Sequence, residues 1–453
     1  MTNFSNIEAV RTHVTDQREQ IFTDLSELTS FNSVHSTPEL ADQLNGAADW
    51  VEAKLNEAGL DVQSHTGIDQ ARIFIATKEP APDKPTILLY SHYDVVPAGD
   101  LDKWTSDPFT LTERDGRWYA RGAADCKGNL VMHLAALRAV AALGGTDLGL
   151  RVVIEGSEEM GGEGLEDLIA KHPELFSADV IFIADSGNAA VGVPTLTTTL
   201  RGGAQLHVTI DTLNAPVHSG SFGGAAPDAV AAMVRLLDTL RDDHGLTTID
   251  GVDCTATWDG LPYEEAEFRK DAGILDGVSV MGSGVATVAD QVWSRPAISI
   301  TGFSSTPVER AVNAVPATCS AVLNLRVPPG MRAAEVADAL AQHLTSRAPW
   351  GVHVKVDISS VNDPFATDIT GEAVSTLSNA LAAAYGKETV SMGGGGSIPL
   401  CVKLQELMPQ AEIALFGVEE PQCVIHSPDE SVDPNEIRDI AIAEAAFLLN
   451  FGK

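Results

Sequence analysis

The run Ile87-Leu88-Leu89-Tyr90 is apolar at every position. A strand of this kind is buried on both faces, which places it in the middle of a parallel sheet covered by helices. Further strands are expected over 71–77, 150–155, 179–184 and 413–418, and helices over 6–30, 39–58, 129–143, 372–384 and 435–450. A hairpin turning at Asp115-Gly116 is expected within 104–119. Strands that alternate with helices build an open α/β sheet. From about residue 200 the pattern changes. Strands at 204–213, 297–303, 319–327 and 352–358 and helices at 226–240 and 331–344 follow the order β-α-β-β-α-β, that of a ferredoxin-like domain. A segment over roughly 245–295 is inserted between its first helix and second strand. The predicted fold is α/β: a mixed, mostly parallel open sheet sandwiched by helices (1–199 and 363–453), interrupted by a ferredoxin-like α+β domain (200–362). A chain of 453 residues is long enough for two such cores.

Metal-ligand residue types stand where these strands stop. His92 and Asp94 follow the first run, Glu158 and Glu159 the second, Asp185 the third, and a loop with His426 the last. Asp125 adds a carboxylate just before the helix at 129–143. An apolar run ending in two acids is poor core design, because carboxylates are seldom buried unpaired. In open α/β sheets, however, ligands bind beyond the carboxyl ends of the strands. Imidazole nitrogen and carboxylate oxygen suit zinc where no thiolate is offered. Two ions about 3.5 Å apart can hold a hydroxide and polarise a carbonyl, while a separate carboxylate moves the proton. Glu158 and Glu159 are adjacent and point different ways, so one can bind metal while the other serves as base. His92 and Asp94, two apart on extended chain, point the same way, so Asp94 can accept the far ring N–H of His92.

Composition narrows the partners. The net charge of −34 disfavours nucleic acid and anionic membrane, both of which need a basic face. Five widely spaced cysteines without a Cys-x-x-Cys fit a reducing compartment with free thiols. No signal peptide is expected in the first thirty residues, and no apolar stretch approaches the roughly 20 residues of a membrane span. A cytoplasmic protein is expected.

Ser91-His92-Tyr93-Asp94-Val95-Val96-Pro97, Asp125-Cys126-Lys127-Gly128, Glu158-Glu159, Asp185 and His426-Ser427 together resemble the cocatalytic-zinc metallopeptidases, which include carnosinases and other dipeptidases, carboxypeptidase G, aminoacylases and succinyl-diaminopimelate desuccinylase. The resemblance covers nearly the whole chain. It implies two zinc ions (or manganese or cobalt) bridged by Asp125, with His92 and Asp185 completing one site and Glu159 and His426 the other. Glu158 would be the general base and then acid. His218 in Val217-His218-Ser219-Gly220 resembles a lid histidine that reaches the partner's substrate across a homodimer formed by the lid domain. Asn313 and Arg326 resemble lid positions that hold the substrate's carboxylate, and Gly396-Ser397 a glycine-rich loop donating backbone N–H groups there. Two residues depart from the pattern without touching a ligand: Cys126, read as a small buried residue, and Ser91. Asp185 rather than Glu, the Gly-Gly-Ser-Ile-Pro run and the segment 264–273 resemble the carnosinase-like dipeptidases. The expected reaction is hydrolysis of a small dipeptide. An N-acyl-amino-acid amidohydrolase is the alternative, and a metal-binding relative without catalysis the remote one.

Overall fold

The computed structural model describes residues 4, 6–396 and 398–452, so Ser397 lies outside the described residues. The chain begins with α1 (Ile7–Asp16), α2 (Arg18–Thr29), α3 (Ala41–Glu57), β1 (Asp61–Thr66), β2 (Arg72–Lys78), β3 (Thr86–His92), β4 (Thr112–Arg114), β5 (Arg117–Tyr119), α4 (Lys127–Ala142), β6 (Gly149–Glu155), α5 (Glu163–Lys171), β7 (Val180–Ala184) and β8 (Thr195–Leu200). It continues through β9 (Gly202–Asp211), β10 (Val217–His218), α6 (Ser219–Phe222), α7 (Ala229–Asp238), α8 (Glu265–Asp271), β11 (Ala297–Ser304), β12 (Ala314–Val315), β13 (Thr318–Val327), α9 (Ala333–Ser346), β14 (His353–Asn362) and β15 (Phe365–Ala366). The last part holds α10 (Glu372–Tyr385), β16 (Val390–Gly394), α11 (Pro399–Leu407), β17 (Glu412–Phe416), β18 (Ser431–Val432) and α12 (Pro434–Asn450).

The described residues divide into two units. One holds the chain up to Thr198, Thr367–Met392 and the part from Leu400 on; the other holds Thr199–Ala366 and Gly393–Pro399. The tetraglycine run, expected with the last segment of the interrupted domain, therefore groups with the inserted one, where a side chain at Gly393 would strike the Trp293 ring.

In the first unit the main sheet runs β1-β2-β6-β3-β7-β17-β8. β6, β3, β7 and β17 are parallel neighbours, so their carboxyl ends emerge along one edge. All seven residues of β3 but the first are buried, as an apolar central strand requires. The helix expected over 6–30 is two helices parted at Gln17. There the Gln17 side chain bonds α4 instead, donating to the Ala135 carbonyl (3.3 Å) and accepting from Arg138 Nε (2.7 Å). α4 and α12 are buried along most of their length. The two are tied to the sheet by His133, whose ring contacts Glu444 Oε2 (2.7 Å) and the Tyr90 carbonyl (3.2 Å). A small sheet of order β18-β5-β4 sets Ser431 opposite Tyr119.

In the second unit an antiparallel sheet of order β11-β13-β9-β14 packs against α7 and α9, the expected β-α-β-β-α-β arrangement. Its core includes Leu206, Val208, Met233, Leu236, Leu323 and Leu340. Asp228 caps α7 by accepting from the Val230 and Ala231 amides. The inserted segment holds its own aromatic group, with Trp258 5.1 Å from Trp293 and Tyr263 stacked on Trp293 at 5.6 Å.

Candidate metal centre

The register of the parallel strands assembles the site. His92, last in β3, lies opposite Glu155, last in β6. The residues just beyond leave the sheet side by side, and Asp94 joins them. One Asp94 oxygen accepts from the Glu158 amide and the other from the Glu159 amide, each at 3.1 Å. Asp94 Oδ1 also lies 3.2 Å from His92 Nδ1. His92 Nδ1 also donates to the Asp94 backbone carbonyl (3.2 Å). Asp94 thus orients the His92 ring through its main chain as well as its carboxylate, while the carboxylate pins both adjacent acids.

Asp125 stands between two groups. Its Oδ1 lies 3.3 Å from His92 Nε2, which is also 3.3 Å from Asp185 Oδ1. Its Oδ2 lies 2.9 Å from His426 Nε2, itself 3.3 Å from Glu159 Oε2. Glu158 belongs to neither group; its Oε2 is 3.9 Å from His92 Nε2. The donors fit metal ions. His92 Nε2 and Glu159 Oε1 are buried and make no hydrogen bond, a costly state unless an ion completes them. The two groups share one carboxylate, each ligand atom within 4.8 Å of the others in its group.

Charge follows this crowding. Hydrogen bonds to Asp125 and Glu159 raise the His426 imidazole to about 10. Burial raises the Glu158 carboxyl well above the carboxylate range, and the Asp185 charge adds to it. Cys126 Sγ lies in the His92 group as a further possible donor. Burial pushes this thiol up to about 12, and it donates to the Ala184 carbonyl at the end of β7 (3.0 Å).

A residue that sequence reasoning missed holds the Asp125 loop. Glu430 precedes β18, and its backbone carbonyl accepts from the Ala120 amide. Its buried carboxylate accepts from the amides of Gly122 (3.0 Å), Ala124 (3.1 Å) and Asp125 (3.1 Å) and from Arg121 Nη1 (2.5 Å). A lone glutamate in Asp429-Glu430-Ser431 carries no sequence signal for this task.

His218, Asn313, Arg326 and Gly396 belong to the second unit. His218 is exposed and pairs with Ala314 across β10 and β12, and the Ser219 amide donates to the Asn313 carbonyl. Arg326 lies on β13 opposite Gly203 and Ala297, without an ion pair among the described residues. Gly396 is exposed.

Nitrogen and oxygen donors gathered beyond parallel strands, with one acid left over, define a metal-dependent hydrolase of the α/β class. Comparison with known proteins narrows this. The profile of peptidase family M20/M25/M40 matches residues 88–450. The chain is 58% identical over 455 residues to a cysteinylglycine-S-conjugate dipeptidase of Corynebacterium striatum, covering 100% of both. It is 30% identical over 352 residues to a Cys-Gly metallodipeptidase of Schizosaccharomyces pombe, covering 73% of each. Human carnosine dipeptidase 1 shares the fold, with a TM-score of 0.80 and 24% identity over 98% of both chains. The chain belongs to peptidase family M20/M25/M40 and is a metallopeptidase of the dipeptidase kind.

Proposed function

We propose that the chain hydrolyses the peptide bond of small dipeptides with a free carboxyl end, cysteinylglycine and its S-conjugates first among them. The observation that carries the reading is the division of carboxylates: Asp125 faces both groups, and Glu158 stands beside His92 outside either. In this reading Asp125 would be a ligand common to two zinc ions, with His92 and Asp185 holding one of them and Glu159 and His426 the other. Manganese or cobalt suits the same donors. Such ions, when bound, make water a better acid and polarise a carbonyl. The chain's own groups do the rest. Asp94 fixes the His92 ring and both glutamate amides. Glu158, whose proton affinity is raised by burial, takes the proton of the attacking water and returns it to the leaving amine.

Substrate recognition falls to the second unit, acting as a lid. Arg326 takes the carboxylate as a fork, and Asn313, Gly396 and Ser397 hydrogen-bond the same end. His218 of the partner subunit donates to the carbonyl oxygen as it gains charge. A homodimer through this unit is supported by exposed apolar side chains: Val234, Ile300, Phe303 and Trp350 line one surface groove. A cytoplasmic location is supported by five free cysteines. The test is a substrate panel with metal reconstitution. Cysteinylglycine, its S-conjugates and other free dipeptides should turn over faster than N-acyl amino acids. The opposite order makes the chain an N-acyl-amino-acid amidohydrolase instead.

A further inference from the structure

Three segments that carry proposed ligands meet beside one buried side chain that the hydrolytic reading does not use. Asn129, the third residue of α4, has no exposed surface. β17 runs parallel to β7 with Phe416 opposite Ala184, so the residues after both strands leave the sheet together. Those after β7 begin with Asp185, and those after β17 lead to His426. The Glu419 carbonyl accepts from the Asn188 amide (2.8 Å), which joins the two exits. The fit around Asn129 is close. A side chain at Gly417 would strike both the Ser186 carbonyl oxygen and Asn129 Oδ1, and one at Gly128 would strike the Ala123 carbonyl oxygen.

The Asn129 amide bonds the exit of β17 and the Asp125 loop at once. Its Oδ1 accepts from the Val418 amide (2.9 Å). Only the oxygen of the group can accept from a backbone N–H, so its NH₂ faces the other way, toward acceptors. These are Glu419 Oε1 (3.2 Å), the Ala124 carbonyl (3.4 Å) and Cys126 Sγ (3.4 Å). Ala124 and Cys126 flank Asp125 in the chain. Two protons shared among three acceptors make each of these bonds weak. Together with the bond from Val418 they still fix the loop against the strand exit. Glu430 grips the amides of the same loop, whereas Asn129 grips its Ala124 carbonyl.

We infer that Asn129 is a positioning residue for the metal centre, setting Asp125 against the segment that leads to His426. The inference rests on the ligand assignment above, and the experiment separates the two. Zinc affinity is measured by chelator competition, with thermal melting and the visible spectrum of cobalt-loaded protein in parallel. Asn129→Asp keeps the shape and the oxygen for Val418 but turns a donor into an acceptor facing Glu419 and Ala124. Zinc affinity should fall about 10–100-fold, and the visible cobalt bands should change in intensity. Glu419→Gln alone still offers Asn129 an oxygen and should bind zinc as the unaltered chain does. Added to Asn129→Asp, it faces the new carboxylate with a donor and should recover about fivefold in affinity, the worth of one hydrogen bond. Asn129→Ser, which reaches neither segment and adds no charge, should weaken zinc binding as well and serves if the aspartate variant fails to fold. Lowered melting with native zinc affinity and cobalt spectrum in a folded Asn129 variant makes the side chain merely structural and overturns the inference. A double variant no tighter than Asn129→Asp overturns it too. Absence of zinc binding by the unaltered chain overturns the ligand assignment, and the inference with it.

Discussion

Glu430 offers the strongest test of how the centre is held, because it touches no proposed metal ligand except through a backbone amide. Glu430 and Arg121 are each 1% exposed. Glu430→Ala removes the only acidic partner of Arg121 within 4 Å among the described residues, and breaking such a buried pair costs about 3–5 kcal/mol. It also orphans the amides of Gly122, Ala124 and Asp125, at about 1–3 kcal/mol each unless water enters the vacated space. Even the lower figures approach the whole stability of an ordinary domain, about 5–15 kcal/mol, so the alanine variant should be recovered poorly or unfolded. Glu430→Gln is the informative change. It keeps the shape and one acceptor oxygen but loses the charge that faces Arg121. With Asp125 less firmly held, metal affinity should fall about 10–100-fold, the usual cost of losing an outer support. The assay is competition for zinc against a chromophoric chelator, with thermal melting followed in parallel. Arg121→Met added to Glu430→Gln should restore part of the melting temperature, because no buried charge is then left unpaired. Native zinc affinity and melting in Glu430→Gln would refute the reasoning and show that something else fixes the Asp125 loop.

The same geometry makes further predictions. Glu158→Gln should lower kcat by about 10²–10⁴-fold with bound metal unchanged by elemental analysis; retained activity would remove Glu158 from its role. His218→Ala should cost about 2.7–4 kcal/mol of transition-state stabilisation in kcat/KM, and mixed dimers with Glu158→Gln should regain activity if the histidine serves the partner subunit. In chelator-treated protein, His426 is held up at about 10. Its contribution to stability is complete below the free-histidine value near 6.5 and is lost as pH rises through about 10. A metal ion needs the neutral ring, so zinc binding at pH 8 should release a proton from His426, measured as a buffer-dependent binding enthalpy; no release would contradict the His426 assignment. Gly156→Ala would drive a methyl into the buried Tyr93 ring, whose hydroxyl donates to the Arg72 carbonyl. Overpacking of this kind costs about 1–3 kcal/mol, read as a lower melting temperature.

Legibility in the sequence followed the kind of force involved. The run 87–90 announced a central strand because an all-apolar strand has nowhere else to go, and β3 is central. The residues at strand ends were legible for the same reason: parallel strands deliver their carboxyl ends to one edge. β1 was missed, since Asp61–Thr66 is an edge strand with no buried residue and no apolar pattern. The break at Gln17 was missed because a side chain bonded to α4 decides it, not local propensity. Lys127 gave no sign of its burial, which rests on one bond from Nζ to the Phe31 carbonyl (2.8 Å). Glu430 was out of reach altogether, since its contact with Asp125 spans 305 residues and depends on the register of β18 with β5.

Asp94 shows why local and long-range information had to be combined. The two-residue spacing from His92 was enough to aim Asp94 at the ring, and it does lie 3.2 Å from Nδ1. The spacing could not reveal that the same carboxylate accepts from the Glu158 and Glu159 amides, 64 and 65 residues away. That second task requires β3 and β6 to be parallel neighbours in the register that sets His92 opposite Glu155. One buried acid therefore couples the orientation of a proposed ligand to the position of the proposed base. Asp94→Asn keeps one oxygen: at the Oδ1 position it still faces the ring and the Glu158 amide but its NH₂ group cannot accept from Glu159, and at the Oδ2 position it serves the Glu159 amide alone. The substitution should thus disturb metal affinity and proton transfer together, lowering zinc binding about 10–100-fold and kcat at saturating metal as well. A loss confined to metal affinity, with kcat fully restored by added zinc, would separate the two functions and deny Asp94 its hold on Glu158.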